Sequence, residues 1–109
     1  MATHQHVSQE MRQCAQLCAN CHQVCLETIQ HCLHMDGKHA EPHHIRLLAD
    51  CTQICQTSAD FMLRGSDLHK LTCGVCAEVC QRCAEDCDRI GGGDQQMKTC
   101  ADSCRHLAA

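Results

Sequence analysis

Along most of this chain apolar and polar residues interchange in steps of three and four. Such steps return to one face of an α-helix, whereas a strand would scatter them over both faces. Breaks divide the pattern into four stretches. The first helix is predicted over about residues 4–36, starting between Thr3 and Ser8, with the row Met11, Cys14, Cys18, Cys21, Cys25, Thr28, Cys32 and Met35. Gly37 suits the residue after its end and Pro42 the first turn of the next helix, at about 42–63. That helix carries His44, Leu48, Cys51, Cys55, Ser58 and Met62. Gly65 and an N-cap at Ser66 introduce the third helix, about 67–90, with His69, Cys73, Cys76, Cys80, Cys83 and Cys87. Gly91-Gly92-Gly93 stops it, and Asp94 caps a short fourth helix, about 94–107, bearing Met97, Cys100, Cys104 and Leu107.

Four amphipathic helices with short connections predict an all-α fold. It is an antiparallel up-down-up-down four-helix bundle, one domain over residues 1–109. Cysteine holds the inward positions, so the core is expected to be lined with thiols. Second apolar stripes run beside the rows: Leu26, Ile29 and Leu33; Leu47, Ile54 and Phe61; Leu68, Leu71, Val75 and Val79.

Composition sharpens this picture. The 109 residues include 14 cysteines but one aromatic, Phe61, so thiols must supply part of the packing. A disulfide scaffold is one reading of so many cysteines. Against it, residues 1–11 hold no apolar run, so neither a secretion signal nor a membrane span is expected, and the expected compartment is the reducing cytoplasm. Neighbours three or four apart on a helix also hold their Cβ atoms about 5–6 Å apart, too far for a bridge. Bridges between helices stay open. A net charge of −4 without a basic patch argues against nucleic acid as partner.

As mere packing, fourteen cysteines are a poor choice beside alanine or leucine, which carry no oxidation risk. As ligands they select soft metals: Cu(I), zinc or iron–sulfur clusters. Zinc and iron–sulfur sites gather four ligands at one point. Here the ligands are spread evenly along the helices, which suits Cu(I). Charge agrees. Thiolates neutralised by a similar number of monovalent ions leave a neutral core, whereas four-thiolate zinc sites bury negative charge that no lysine or arginine on the rows offsets. The expectation is about 10–18 Cu(I) per chain, bound by all fourteen cysteines. The helices pre-position the thiols, so the fold is expected without metal. A zinc or cadmium buffer and a thiol redox sensor are the rival readings. No nucleophile–base set or phosphate loop appears, so an enzyme is not expected.

Methionine and histidine collect at the two ends of an antiparallel bundle. One end gathers His4, His6, Met11, Met62, His69 and His106; the other His31, His34, Met35, His39, His43, His44 and Met97. Met11, Met35, Met62, His69 and Met97 are candidate auxiliary ligands or points where metal is admitted.

The row Cys14-x-x-x-Cys18-x-x-Cys21-x-x-x-Cys25, the segment Glu41-Pro-His-His-Ile-Arg-Leu-Leu48, the run Thr57-Ser-Ala-Asp-Phe-Met-Leu-Arg-Gly65 and Cys73-Gly-Val-Cys-Ala-Glu-Val-Cys80 resemble the cytosolic bacterial copper storage proteins. The resemblance covers nearly the whole chain. It implies a homotetramer of four-helix bundles, each holding many Cu(I) ions on inward cysteines for storage and detoxification. Expected partners are copper ions and a copper chaperone. Family members usually carry further cysteines on the last helix, where this chain reads Cys104-Arg-His-Leu-Ala-Ala109, so a lower capacity is expected at that end.

Overall fold

In a computed structural model, which describes residues 7–108, the chain forms four α-helices. They are α1 (Gln9–Met35), α2 (Pro42–Leu63), α3 (His69–Gly91) and α4 (Gln95–Ala108). Each packs on its sequence neighbours, and α4 closes back on α1. The backbones of the two diagonal pairs stay apart, so the helices stand at the corners of a square with the cysteine rows turned to its axis, where sulfurs meet across the diagonal.

Local chemistry explains the boundaries. Ser8 Oγ accepts the backbone N–H of Met11, so α1 begins at Gln9. The start falls at the late limit of the expected range between Thr3 and Ser8, later than residue 4, because residues 7 and 8 are non-helical. The chain leaves α1 through positive φ at Asp36 (62°) and Gly37 (58°), and Gly37–Ala40 form a 3-10 turn that the sequence pattern does not announce. Pro42 opens α2, where a missing N–H costs nothing. Ser66 does cap, but it caps a turn: its Oγ accepts from the N–H of Leu68, and α3 starts at His69 rather than 67. Asp94 Oδ1 accepts from the N–H of Met97 and starts α4.

Two close contacts fix α4. Gly91 is buried, and a Cβ there would stand 2.7 Å from the Cβ of Met97, so glycine permits the approach of α3 and α4. Thr28 Oγ1 donates to the Val24 carbonyl and accepts from Gln96 Nε2, pinning the start of α4 to α1.

The helices differ in length. α1 has 27 residues and α4 has 14, or about 40 Å against 21 Å at the α-helical rise. The rod therefore has four helices at one end and three at the other. This displaces His106: Cys104 lies level with Cys21 and Cys51, so His106 stops well short of the end where it was expected. His4 and His6 lie outside the described residues.

Candidate metal centre

Twelve of the fourteen cysteines are buried, Cys73 is half-buried and Cys14 is exposed; all are free thiols. The expectation that every cysteine faces the core thus fails at Cys14. The reason is the short α4, which leaves the first turns of α1 and α3 uncovered.

The buried sulfurs form a column. Cys76 and Cys80 lie 3.8 Å apart and both reach Cys55 at 3.7 Å. Cys80 continues to Cys51 at 3.6 Å, Cys51 to Cys104 at 3.7 Å, and Cys104 to Cys21 at 3.8 Å. Cys21 meets Cys25 at 3.9 Å, which meets Cys100 at 3.8 Å. A disulfide needs about 2.05 Å, so these are neighbours, not bonds. Three sulfurs around an ion at about 2.3 Å stand about 4.0 Å apart, and four stand about 3.8 Å apart. The column is spaced for metal.

Three four-sulfur groups are compact enough to hold an ion: Cys21, Cys25, Cys51 and Cys104; Cys21, Cys51, Cys55 and Cys80; Cys25, Cys83, Cys100 and Cys104. They overlap, since Cys21, Cys25, Cys51 and Cys104 each serve two groups. Separate four-thiolate sites cannot all be filled from shared ligands. Bridging sulfurs and a continuous cluster can.

Electrostatics points the same way. Every lysine and arginine is exposed, so no protein cation stands by the column. Burial, with neighbouring thiols and Asp94, pushes Cys32 up to about 12. Hydrogen bonds from Cys104 and Cys21 pull Cys51 down, while contacts with Cys100 and Cys21 push Cys104 up. Within such a group the first thiolate is stabilised by its neighbours' protons and later ones form against its charge. An entering cation must replace the proton it displaces.

The two ends differ. At the three-helix end Ser8, Glu10, Met11, Cys14, Met62, His69, Lys70 and Cys73 line a recess of ≈ 470 Å³. It contains three of the five candidate auxiliary residues, Met11, Met62 and His69. At the four-helix end, Met97 Sδ and His44 Nε2 each lie 3.4 Å from Cys32 Sγ, all three residues buried. His44 Nδ1 donates to Asp86 Oδ2 at 2.7 Å, which leaves Nε2 of the neutral ring with its lone pair toward Cys32. Arg89 donates to Asp86 Oδ1 and reaches Glu41. Met35, by contrast, is exposed and outside the column.

Asp86 is the residue that pattern reading misses. Burial raises its carboxyl, yet hydrogen bonds from His44 and Arg89 outweigh that and hold it below its ordinary value. Its signal in the sequence is faint: two acids, Glu85 and Asp86, stand between Cys83 and Cys87, and only Asp86 has Arg89 three positions on.

The fold and the site together define a class: a helical bundle whose core is a column of thiols spaced for metal rather than a purely hydrocarbon interior. Residues 7–109 match the family described as "Csp: Copper storage protein". The chain belongs to the copper storage protein family. It is 30% identical to the cysteine-rich protein YhjQ of Bacillus subtilis (strain 168), over 88% of this chain and 94% of that protein. A crystal structure of a Nitrosospira multiformis protein is similar with a TM-score of 0.72 and 40% identity, covering 93% of this chain and 97% of the other. The Cu(I)-bound copper storage protein BsCsp3 is similar with a TM-score of 0.67 and 29% identity, covering 88% and 95%. No helix among the described residues is long and apolar enough to cross a membrane.

Proposed function

We propose that this chain is a non-enzymatic store for Cu(I) in the cytoplasm, holding many ions along its thiol column. The observation that carries this is the sharing of Cys21, Cys25, Cys51 and Cys104 among overlapping four-sulfur groups. Shared thiolates with no protein cation beside them favour monovalent, soft ions that bridge sulfurs and neutralise them one for one. Zinc fits the spacing of any one group, but filling adjacent groups with four-thiolate zinc sites would bury net negative charge. A redox sensor needs an activated, accessible thiolate beside a cation. The half-buried Cys73 lines the recess at the three-helix end with Lys70, but burial pushes its thiol up rather than activating it.

In this reading copper arrives at that recess. Met11, Met62 and His69 receive it, and Cys14 and Cys73 pass it to Cys18 and Cys76. Thioether and imidazole hold copper less tightly than thiolate and so release it inward. Cys83, Cys87 and Cys100 extend the column to the four-helix end, where Cys32, His44 and Met97 close it. A copper chaperone is the proposed donor.

The test is an anaerobic Cu(I) titration of the reduced protein against a chromophoric Cu(I) chelator. Ten or more tightly held ions per chain are expected, about one per thiol at most sites. A capacity of zero to two would overturn the reading.

A further inference from the structure

Outside the thiol column three more donors converge at the four-helix end. His31 stands near the end of α1, His39 in the 3-10 turn, and Asp94 at the cap of α4. One ligand atom from each lies within 4.8 Å of the others. Asp94 Oδ2 is 2.7 Å from His31 Nε2 and 3.4 Å from His39 Nε2. The other oxygen, Oδ1, accepts the Met97 N–H, while Oδ2 accepts from His31 Nε2, a proton that a bound cation would displace.

His39 Nε2 is the informative atom. It is buried and has no hydrogen-bond partner: Oδ2 is near, but not aligned with it. A buried polar atom with nothing to bond asks what it is for. The rings of His31 and His39 stand edge to face, their centroids 6.0 Å apart and planes at 79°, an arrangement that brings both Nε2 atoms to the same carboxylate oxygen.

We propose that His31, His39 and Asp94 form a second metal site, separate from the copper column, for a divalent first-row cation such as zinc. Two imidazoles and a carboxylate are borderline-to-hard donors. They suit Zn²⁺ and compete poorly for Cu(I) against thiolates nearby. Zinc takes such ligands at about 2.0–2.2 Å, which sets neighbouring ligand atoms about 3.3 Å apart in a tetrahedron. The 2.7 Å contact opens slightly to meet this, and the 3.4 Å contact already does. His31 remains 30% exposed, which leaves a path for the ion and a water in the fourth position. The bound ion ties the end of α1, the 3-10 turn and the start of α4 into one clasp.

The test uses full-length protein saturated with Cu(I), so that the thiols are occupied, dialysed against micromolar Zn²⁺ and analysed for both metals. Wild type is expected to retain one zinc per chain. His39→Gln and Asp94→Asn are expected to retain none, at unchanged copper content; Asn keeps an oxygen for the helix cap. Zinc absent from wild type, or present equally in both variants, overturns the proposal. Failure of the storage reading would show separately, as a low copper count before zinc is added. In that case Co²⁺ added to metal-free wild type and His39→Gln decides. A difference spectrum with visible d–d bands and no near-ultraviolet thiolate charge transfer supports the site, and its absence overturns it.

Discussion

Ser58 and Thr28 interrupt two thiol rows, and both are fully buried. Ser58 Oγ has no hydrogen-bond partner, so nothing holds a hydroxyl there against a sulfur. Ser58→Cys is expected to fold and to bind about one additional Cu(I), read by the same chelator titration. Cys104→Ser should lose more than one ion because Cys104 serves two groups, whereas Cys14→Ser should lose no more than one. Asp86 has a different role, holding His44 in the tautomer that faces Cys32. Its carboxyl is depressed from 3.8, so its stabilisation is complete above that value and is lost as pH falls through the lower folded-state value. Asp86→Asn should therefore cost about 1–3 kcal/mol near neutrality, and the gap in melting temperature between wild type and variant should narrow below pH 4. At this scale the cysteines were legible, because a 3-4 rhythm states which side chains share a face. Cys14 and Asp86 were not. The exposure of one depends on how far another helix reaches, and the burial of the other on partners 42 positions away and three positions on.

Among the elements, the α3–α4 corner is the most constrained. Gly91→Ala would press a methyl group into Met97, and overpacking of that kind costs about 1–3 kcal/mol. Gly93→Ala meets nothing within 4 Å and should be close to neutral. Thermal denaturation of the two metal-free variants makes the comparison; equal melting temperatures would show that the corner yields. Helix ends marked by glycine or proline were legible in the sequence, since those residues act on their own backbone. The start of α3 was displaced by two residues because the Ser66 side chain serves a turn in the way it would serve a helix. The clasp of His31, His39 and Asp94 joins three elements and has no linear signature at all.

For the whole molecule, the second apolar stripes matter most. Leu26 and Leu33 on α1, Leu71 and Val75 on α3 and Leu68 just before it are exposed, Leu71 by 69%. α1 and α3 occupy opposite corners of the square, so the chain presents two apolar sides, each open to a further copy. These sides are where the homotetramer expected from the family resemblance would bury apolar surface. Leu71→Glu is expected to reduce the assembly to dimers or monomers in light scattering after size exclusion, with the copper count per chain unchanged. An unaltered mass would assign those leucines no part in assembly.

The short fourth helix has one more consequence. In the storage reading proposed above, copper enters at the three-helix end and moves in single file toward Cys32, His44 and Met97. Each ion reaches the depths only by handing its place to the next, sulfur to sulfur. On that reading the protein works as a stack rather than a reservoir, and the last copper in is expected to be the first out. Its oldest ions would then wait until the file ahead of them has cleared.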